Sequence, residues 1–234
     1  MESRRTERKT WKISISWRFR AAGIIALWFV VRCAVASAAG FTSADAETLF
    51  AAHAKAFYRE QDGRAWFAES TDGGNVSYWM RAEQMEMVLD AHERTPSPQK
   101  LAMFTNLFHG FLVDHGTNWS KNAYNDDIMW MVIAYTRAAL LTGNAEFRDV
   151  ARTNFDLCHA RADSPDLGGG LWWKTDNRSK NACVNGPGAI AAFLLGRATG
   201  EAAYFTKATN LFLWERSILF EPGIVGGHRP PLQR

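Results

Sequence analysis

At 234 residues, with 47% apolar and 22% charged side chains, the chain has ordinary globular composition and can bury a sizeable core, which excludes a disordered polymer. The net charge of +3 is concentrated at the N-terminus: residues 1–38 hold eight Lys or Arg against two acids, leaving −3 beyond them, so no basic stripe remains to neutralise phosphates and no nucleic-acid partner is expected. Ten Trp is the compositional outlier, which reads either as a Trp-rich core or as indole faces stacked on sugar rings.

Residues 1–20 are basic, residues 21–31 (AAGIIALWFVV) are apolar and residues 34–39 (AVASAA) are small. That order is the order of a secretory signal. Ala36-Ser37-Ala38 fits its cleavage site, so residues 1–38 are expected to be removed and the product to be secreted or periplasmic. The apolar core is too short for a stable membrane span. Cys33 follows Arg32 rather than the small residues a lipid anchor needs.

The remainder reads as helices, with no stretch alternating apolar and polar over several positions. The first helix spans 43–60, capped by Ser43, with Phe50, Ala54, Phe57 and Tyr58 on one face. Residues 62–77 form a Gly- and Asp-rich loop. A second helix, 78–93, carries Gln84, Glu86 and Asp90 either toward a lumen or on the surface. Thr95-Pro96-Ser97-Pro98 breaks the chain and a helix resumes over 99–114. After a loop at 115–124, helices at 125–142 and 145–161 flank Gly143-Asn144. A long Gly/Trp/Asp loop at 162–180 precedes helices at 181–199 and 201–219, which turn at Gly200. Residues 39–222 thus form one helical domain, and the tail 223–234 reads as irregular.

Leu141-Thr142-Gly143-Asn144-Ala145-Glu146-Phe147 is echoed by Ala198-Thr199-Gly200-Glu201-Ala202-Ala203-Tyr204, 57 residues later. A helix–Thr-Gly–helix unit repeating at that spacing is a hairpin array, each glycine ending a helix in a left-handed cap. Phe147, Val150, Ala151, Asn154, Phe155 and Cys158 share one face of 145–161, and Tyr204, Ala208, Leu211 and Phe212 repeat the pattern in 201–219. These are half-wet outer helices. Residues 128–141 and 187–195 are apolar nearly all round, the mark of buried inner helices. Two concentric rings are expected, with the long loops on one rim.

Asn125-Asp126-Asp127 opens the most buried helix. Capping by Asn125 explains one polar residue there. Two further carboxylates entering a buried helix are costly unless they face a polar cavity. Paired carboxylates on a rim are what glycoside hydrolysis requires: one attacks the anomeric carbon or activates water, the other protonates the leaving oxygen. Gly168-Gly169-Gly170-Leu171-Trp172-Trp173 reads as planar sugar platforms or as a turn with a hydrophobic plug. Lys180, Asn181 and Asn185 either bond hydroxyls or cap the next helix, and Trp79, beside Tyr78, lies at the same rim. Cys158 and Cys183 either pair or are two small buried residues. The six His are scattered, with no Cys-x-x-Cys, so neither metal nor cofactor is expected.

Tyr124-Asn125-Asp126-Asp127-Ile128-Met129-Trp130, Leu141-Thr142-Gly143, the Gly-Gly-Gly-Leu-Trp-Trp run, Lys180-Asn181-Ala182 and Asn185-Gly186-Pro187 together resemble glycoside hydrolase family 76, over roughly residues 45–220. The resemblance implies an all-α (α/α)6 six-hairpin toroid and retaining cleavage of α-1,6-mannan; a monomer without cofactors is expected. It also implies that Asp126 is the nucleophile and Asp127 the acid/base, with Trp172, Trp173, Asn181 and Asn185 lining a groove for α-mannan or mannose oligosaccharides; Trp79, Tyr124 and Lys180 are further expected substrate-binding residues. Seven helices are read where that family's barrel has twelve, and its later Tyr-Asn-Gln-Gly segment is absent, so the toroid is incomplete. Another six-hairpin sugar enzyme, of the unsaturated-uronyl hydrolase or epimerase type, fits the fold but not the aspartate pair with the Trp-Trp loop. A glycan-binding fragment without turnover is the remaining reading.

Overall fold

The computed structural model describes residues 40–220 and residues 232–233. Residues 1–38, where an export signal is expected, and most of the tail lie outside the described residues. The chain separates into two units, residues 1–45 and 46–234, and the hairpin array belongs to the second. The described helices are α1 (Ser43–Phe57), α2 (Tyr78–Arg94), α3 (Pro98–His115), α4 (Asn125–Thr142), α5 (Ala145–Ala162), α6 (Ala182–Thr199) and α7 (Ala202–Ile218). None of them is long and apolar enough to cross a membrane.

Two local expectations are corrected at the first helix. Thr42, not Ser43, caps it: Asp45 N–H donates to Thr42 Oγ1 at 3.2 Å, and Asp45 Oδ2 accepts from Thr42 N–H at 2.9 Å, a reciprocal box. The helix then stops at Phe57, and Tyr58 begins a hairpin of β1 (Tyr58–Gln61) and β2 (Arg64–Phe67), paired antiparallel with Gln61 opposite Arg64. Asp62 and Gly63 take φ of +51° and +76°, the two left-handed positions of a tight hairpin turn. Ala65 and Phe67 point inward and are buried. Helix α3 lies so close to β2 that a Cβ on Gly110 would sit 2.1 Å from the Ala65 carbonyl oxygen.

Helices α2, α4 and α6 form the inner layer, α4 packing against both neighbours, while α5 and α7 pair with α4 and α6 from outside. The inner helices run in the same direction. Asp126 at the start of α4 meets Cys183 at the start of α6, and Arg137 far along α4 meets Glu86, Asp90 and Glu93 far along α2. Those contacts place Glu86 and Asp90 in an ion cluster about three turns below the rim. Between α3, α4 and α5 lies an aromatic core, with Phe108 4.7 Å from both Tyr135 and Phe147 and Trp119 5.5 Å from Tyr135.

The Thr-Gly echo has a structural cause. Thr142 and Thr199 each donate their hydroxyl four residues back, to Ala138 O at 2.7 Å and Leu195 O at 2.8 Å. Each Oγ1 then accepts from the N–H two residues ahead, at 3.2 Å in both turns. Gly143 and Gly200 follow with φ of +72° and +75°. One face assignment is corrected: Phe212 is 56% exposed and Trp214 is buried in its place. Ile190 and Phe193, inside the all-apolar run of α6, are also exposed, with the Phe193 ring edge to face with Phe205 of α7 at 5.7 Å.

Candidate active site

The two long loops before α4 and α6 are stitched together at the start of α4. Asn125 N–H donates to Trp173 O at 2.9 Å, and Tyr124 bridges to Lys174. Asn125 is not the expected cap; Tyr124 holds that position without a side-chain bond. The Asn125 side chain is buried, donates Nδ2–H to Trp172 O at 2.7 Å and accepts Arg161 Nε–H at 2.8 Å. With its carboxamide spent in this way, the first turn presents Asp126 and Asp127.

The two carboxylates have different partners. Asp126 Oδ2 accepts the Trp173 indole N–H at 2.8 Å and faces the Cys183 thiol at 3.5 Å, while its Oδ1 is buried without a hydrogen-bond partner among the described residues. Burial raises its pKa above the ordinary carboxylate range, and the Trp173 and Cys183 bonds work the other way. Asp127 Oδ2 accepts from Asn122 Nδ2 at 3.1 Å. Burial raises this group too, the Asn122 bond opposes it, and the charge of Asp126 adds to the rise. Tyr78 closes the α2 side; its hydroxyl has no hydrogen-bond partner among the described residues, and burial, then Tyr135 and Asp127, push its pKa upward.

The aromatic rim is Tyr124 and Trp173, edge to face at 5.5 Å, with the Lys174 ammonium 5.0 Å from the Trp173 ring. Tyr124 is 42% exposed and Trp79, on the first turn of α2, 47% exposed. Three expected groove residues are corrected. Trp172 is 2% exposed and lies under the Lys180 ammonium at 4.6 Å, so its faces are spent on the protein. Lys180 is buried and donates to the carbonyls of Ser164, Asp166, Gly169 and Gly170 at 2.6–2.8 Å, holding the glycine loop. Asn185 is buried and bonds both main-chain groups of Leu171, accepting at 2.7 Å and donating at 3.2 Å. Asn181 stays near the pair: it opens α6 and accepts from the Cys183 thiol at 3.0 Å.

Cys158 and Cys183 are both free thiols, one buried beside Asn125 and one exposed beside Asp126. Burial pushes the Cys158 pKa up to about 12, and at the exposed Cys183 partial desolvation of the sulfur together with the Asp126 charge has the same effect. Asn122, Cys183 and Arg161 went unnoticed as site residues. Only the position of Arg161, in the last turn of a helix, carries a sequence signal, and that signal reads equally as dipole matching.

An inner ring of parallel helices opening on a carboxylate pair defines the six-hairpin toroid class. Residues 42–223 match the model of glycosyl hydrolase family 76, and the chain belongs to that family. Among solved structures it is similar to the α-1,6-mannanase GH76A of Salegentibacter sp. HEL1_6. An inactive variant of that enzyme, with two consecutive aspartates replaced by alanine and α-1,6-mannotetrose bound, is 28% identical with a TM-score of 0.70, over 77% of this chain and 52% of that one. The enzyme without the replacements is 26% identical, TM-score 0.70, over 82% and 58%. A D-mannose isomerase, 15% identical with a TM-score of 0.65 over 80% of this chain and 57% of that one, shares the fold. The chain therefore spans 52–58% of the length of the mannanase structures it matches. No curated protein matches it.

Proposed function

We propose that the chain is an exported glycoside hydrolase acting on α-1,6-linked mannose chains with retention of configuration. The observation that supports this reading is the pair Asp126–Asp127, opening beside Trp173 and Tyr124 with one carboxylate held by an indole N–H and a thiol and the other by a carboxamide. Asp126, with more donors, is the anion that attacks the anomeric carbon. Asp127, whose ionised form is opposed by its neighbour's charge, delivers a proton to the departing glycosidic oxygen. A glycosyl ester on Asp126 results. Asp127, now a carboxylate, takes a proton from water as that water displaces the sugar from the ester. Trp173 and Tyr124 supply apolar faces for pyranose rings, and the fixed N–H donors act on charge as it shifts.

The test is release of new reducing ends from α-1,6-mannan by the chain, with Asp126→Asn and Asp127→Asn each lowering turnover by at least about a thousandfold. An Asp126→Asn variant with undiminished turnover removes the nucleophile assignment. Activity on unsaturated uronides and none on mannan replaces the substrate class. N-terminal sequencing of the exported product, expected to begin at Ala39, checks the leader.

A further inference from the structure

We infer that Arg161, at the end of outer helix α5, is a positioning residue that fixes the hydrogen-bond partners of both aspartates through the loop preceding α4. The inference rests on the hydrolase reading of this site. The guanidinium donates from Nε to Asn125 Oδ1 at 2.8 Å, from Nη1 to Ser120 O at 2.7 Å and from Nη2 to Asn122 O at 2.7 Å. Every acceptor lies between Ser120 and Asn125, immediately ahead of the carboxylate pair.

Two routes leave this grip. Asn122, its carbonyl held, extends its carboxamide to Asp127 Oδ2 at 3.1 Å. Asn125, its carboxamide oriented by Arg161, fixes Trp172 O at 2.7 Å, and its own N–H fixes Trp173 O at 2.9 Å. Trp173 in turn donates its indole N–H to Asp126 at 2.8 Å. A basic residue closing a helix also satisfies the helix dipole, but that role needs only charge. Three acceptors taken by the three edges of one planar fork need a guanidinium, which a lysine does not reproduce.

The ionisable groups around Asp127 are Asp126 on its own helix and Tyr78 from α2, which the Arg161 charge of α5 also reaches. Cys183 of α6 faces Asp126, and His115 of α3 lies against the Tyr78 ring at 5.0 Å. The Asn122 bond is what opposes the upward push of burial on Asp127, so freeing Asn122 moves that carboxyl further up. A general acid works while protonated and fails as pH rises through its pKa. A higher pKa therefore carries the alkaline limb of the rate profile to higher pH.

The experiment uses the full chain with Arg161→Lys, Arg161→Met, Asn122→Ala and the Arg161→Met/Asn122→Ala pair. The readouts are kcat and KM on α-1,6-mannan across pH, and the substrate-free titration of the Asp127 carboxyl by ¹³C NMR. Both Arg161 variants are expected to lose about ten- to a hundredfold in kcat with little change in KM. They should raise the alkaline limb and the Asp127 titration, and Asn122→Ala should shift the titration in the same direction. The double variant should move the titration no further than Asn122→Ala alone. Arg161 variants with wild-type circular dichroism and an unmoved Asp127 titration overturn the proposal, as does strict additivity in the double variant. Should Arg161→Met fail to fold, Arg161→Lys and Asn122→Ala decide it. A wild-type chain that leaves mannan intact defeats the hydrolase reading alone, because the carboxyl titration still reports on Arg161.

Discussion

Asp126 and Asp127 sit in one helical turn, and their burial sets up a conflict between stability and chemistry. A carboxyl whose folded pKa is raised favours the protonated form, so its contribution is full below the unfolded value of about 3.9 and is lost as pH rises through the folded value. Asp126→Asn should therefore raise the melting temperature by a few degrees at pH 7 while removing turnover, and the gain should vanish near pH 3; a scan of melting temperature against pH reads both. Trp173→Phe keeps the ring but removes the donor that holds Asp126 down. In the proposed mechanism Asp126 attacks as an anion, so activity is lost as pH falls through its pKa. This variant should shift the acid limb of kcat/KM to higher pH and cost about tenfold at neutral pH, in line with a hydrogen bond to a charged group. The carboxylate pair was legible in the sequence because capping accounts for Asn or one Asp, not for two acids entering a buried helix. Which indole faces the cleft was not legible. Trp172 and Trp173 are neighbours in an extended segment, where successive side chains point to opposite sides, and only the packing of Lys180 shows which side is inside.

At the scale of elements, the loop before α6 is held from within as well as by Asn125, Asn185 and Trp214 from its neighbours. Lys180 sends its ammonium to four carbonyls of the segment Ser164–Gly170. Lys180→Met keeps the stem but leaves those acceptors buried, and unfolding in urea should show a loss of about 2–4 kcal/mol. The cleft aromatics would lose register with it, since Trp173 N–H bonds Ser179 O next door. Helix boundaries were readable to within a few residues because Gly143, Gly200 and Pro98 punctuate the chain where backbone geometry demands it. The β1–β2 hairpin was missed. Tyr58 continues the helical phase of Phe50, Ala54 and Phe57, and four-residue strands show too little alternation to compete. The signal was Asp62-Gly63, a turn dipeptide absorbed into a loop.

For the molecule as a whole, the contrast between the all-apolar runs of α4 and α6 and the one-faced α5 and α7 made two rings legible, whereas α2, with Glu86, Asp90 and Glu93 along it, carried no such mark of an inner helix. Exposed Ile190, Phe193, Phe212 and Phe220 gather on α6, α7 and the residues just beyond. Such a patch is an association hazard. Phe193→Ser with Phe212→Ser should lower light scattering of the concentrated protein and leave its melting temperature within about 2 °C of the parent, as surface changes do. The inner helices all begin at the end that carries the long loops, while the short connections at residues 95–97, Asn144 and Glu201 lie at the opposite end. That polarity gives the molecule a front and a back. A chain anchored to a bead or sensor chip through its tight-turn end would face its cleft outward, and one anchored through the loops would be blind to any polymer too large to diffuse beneath it.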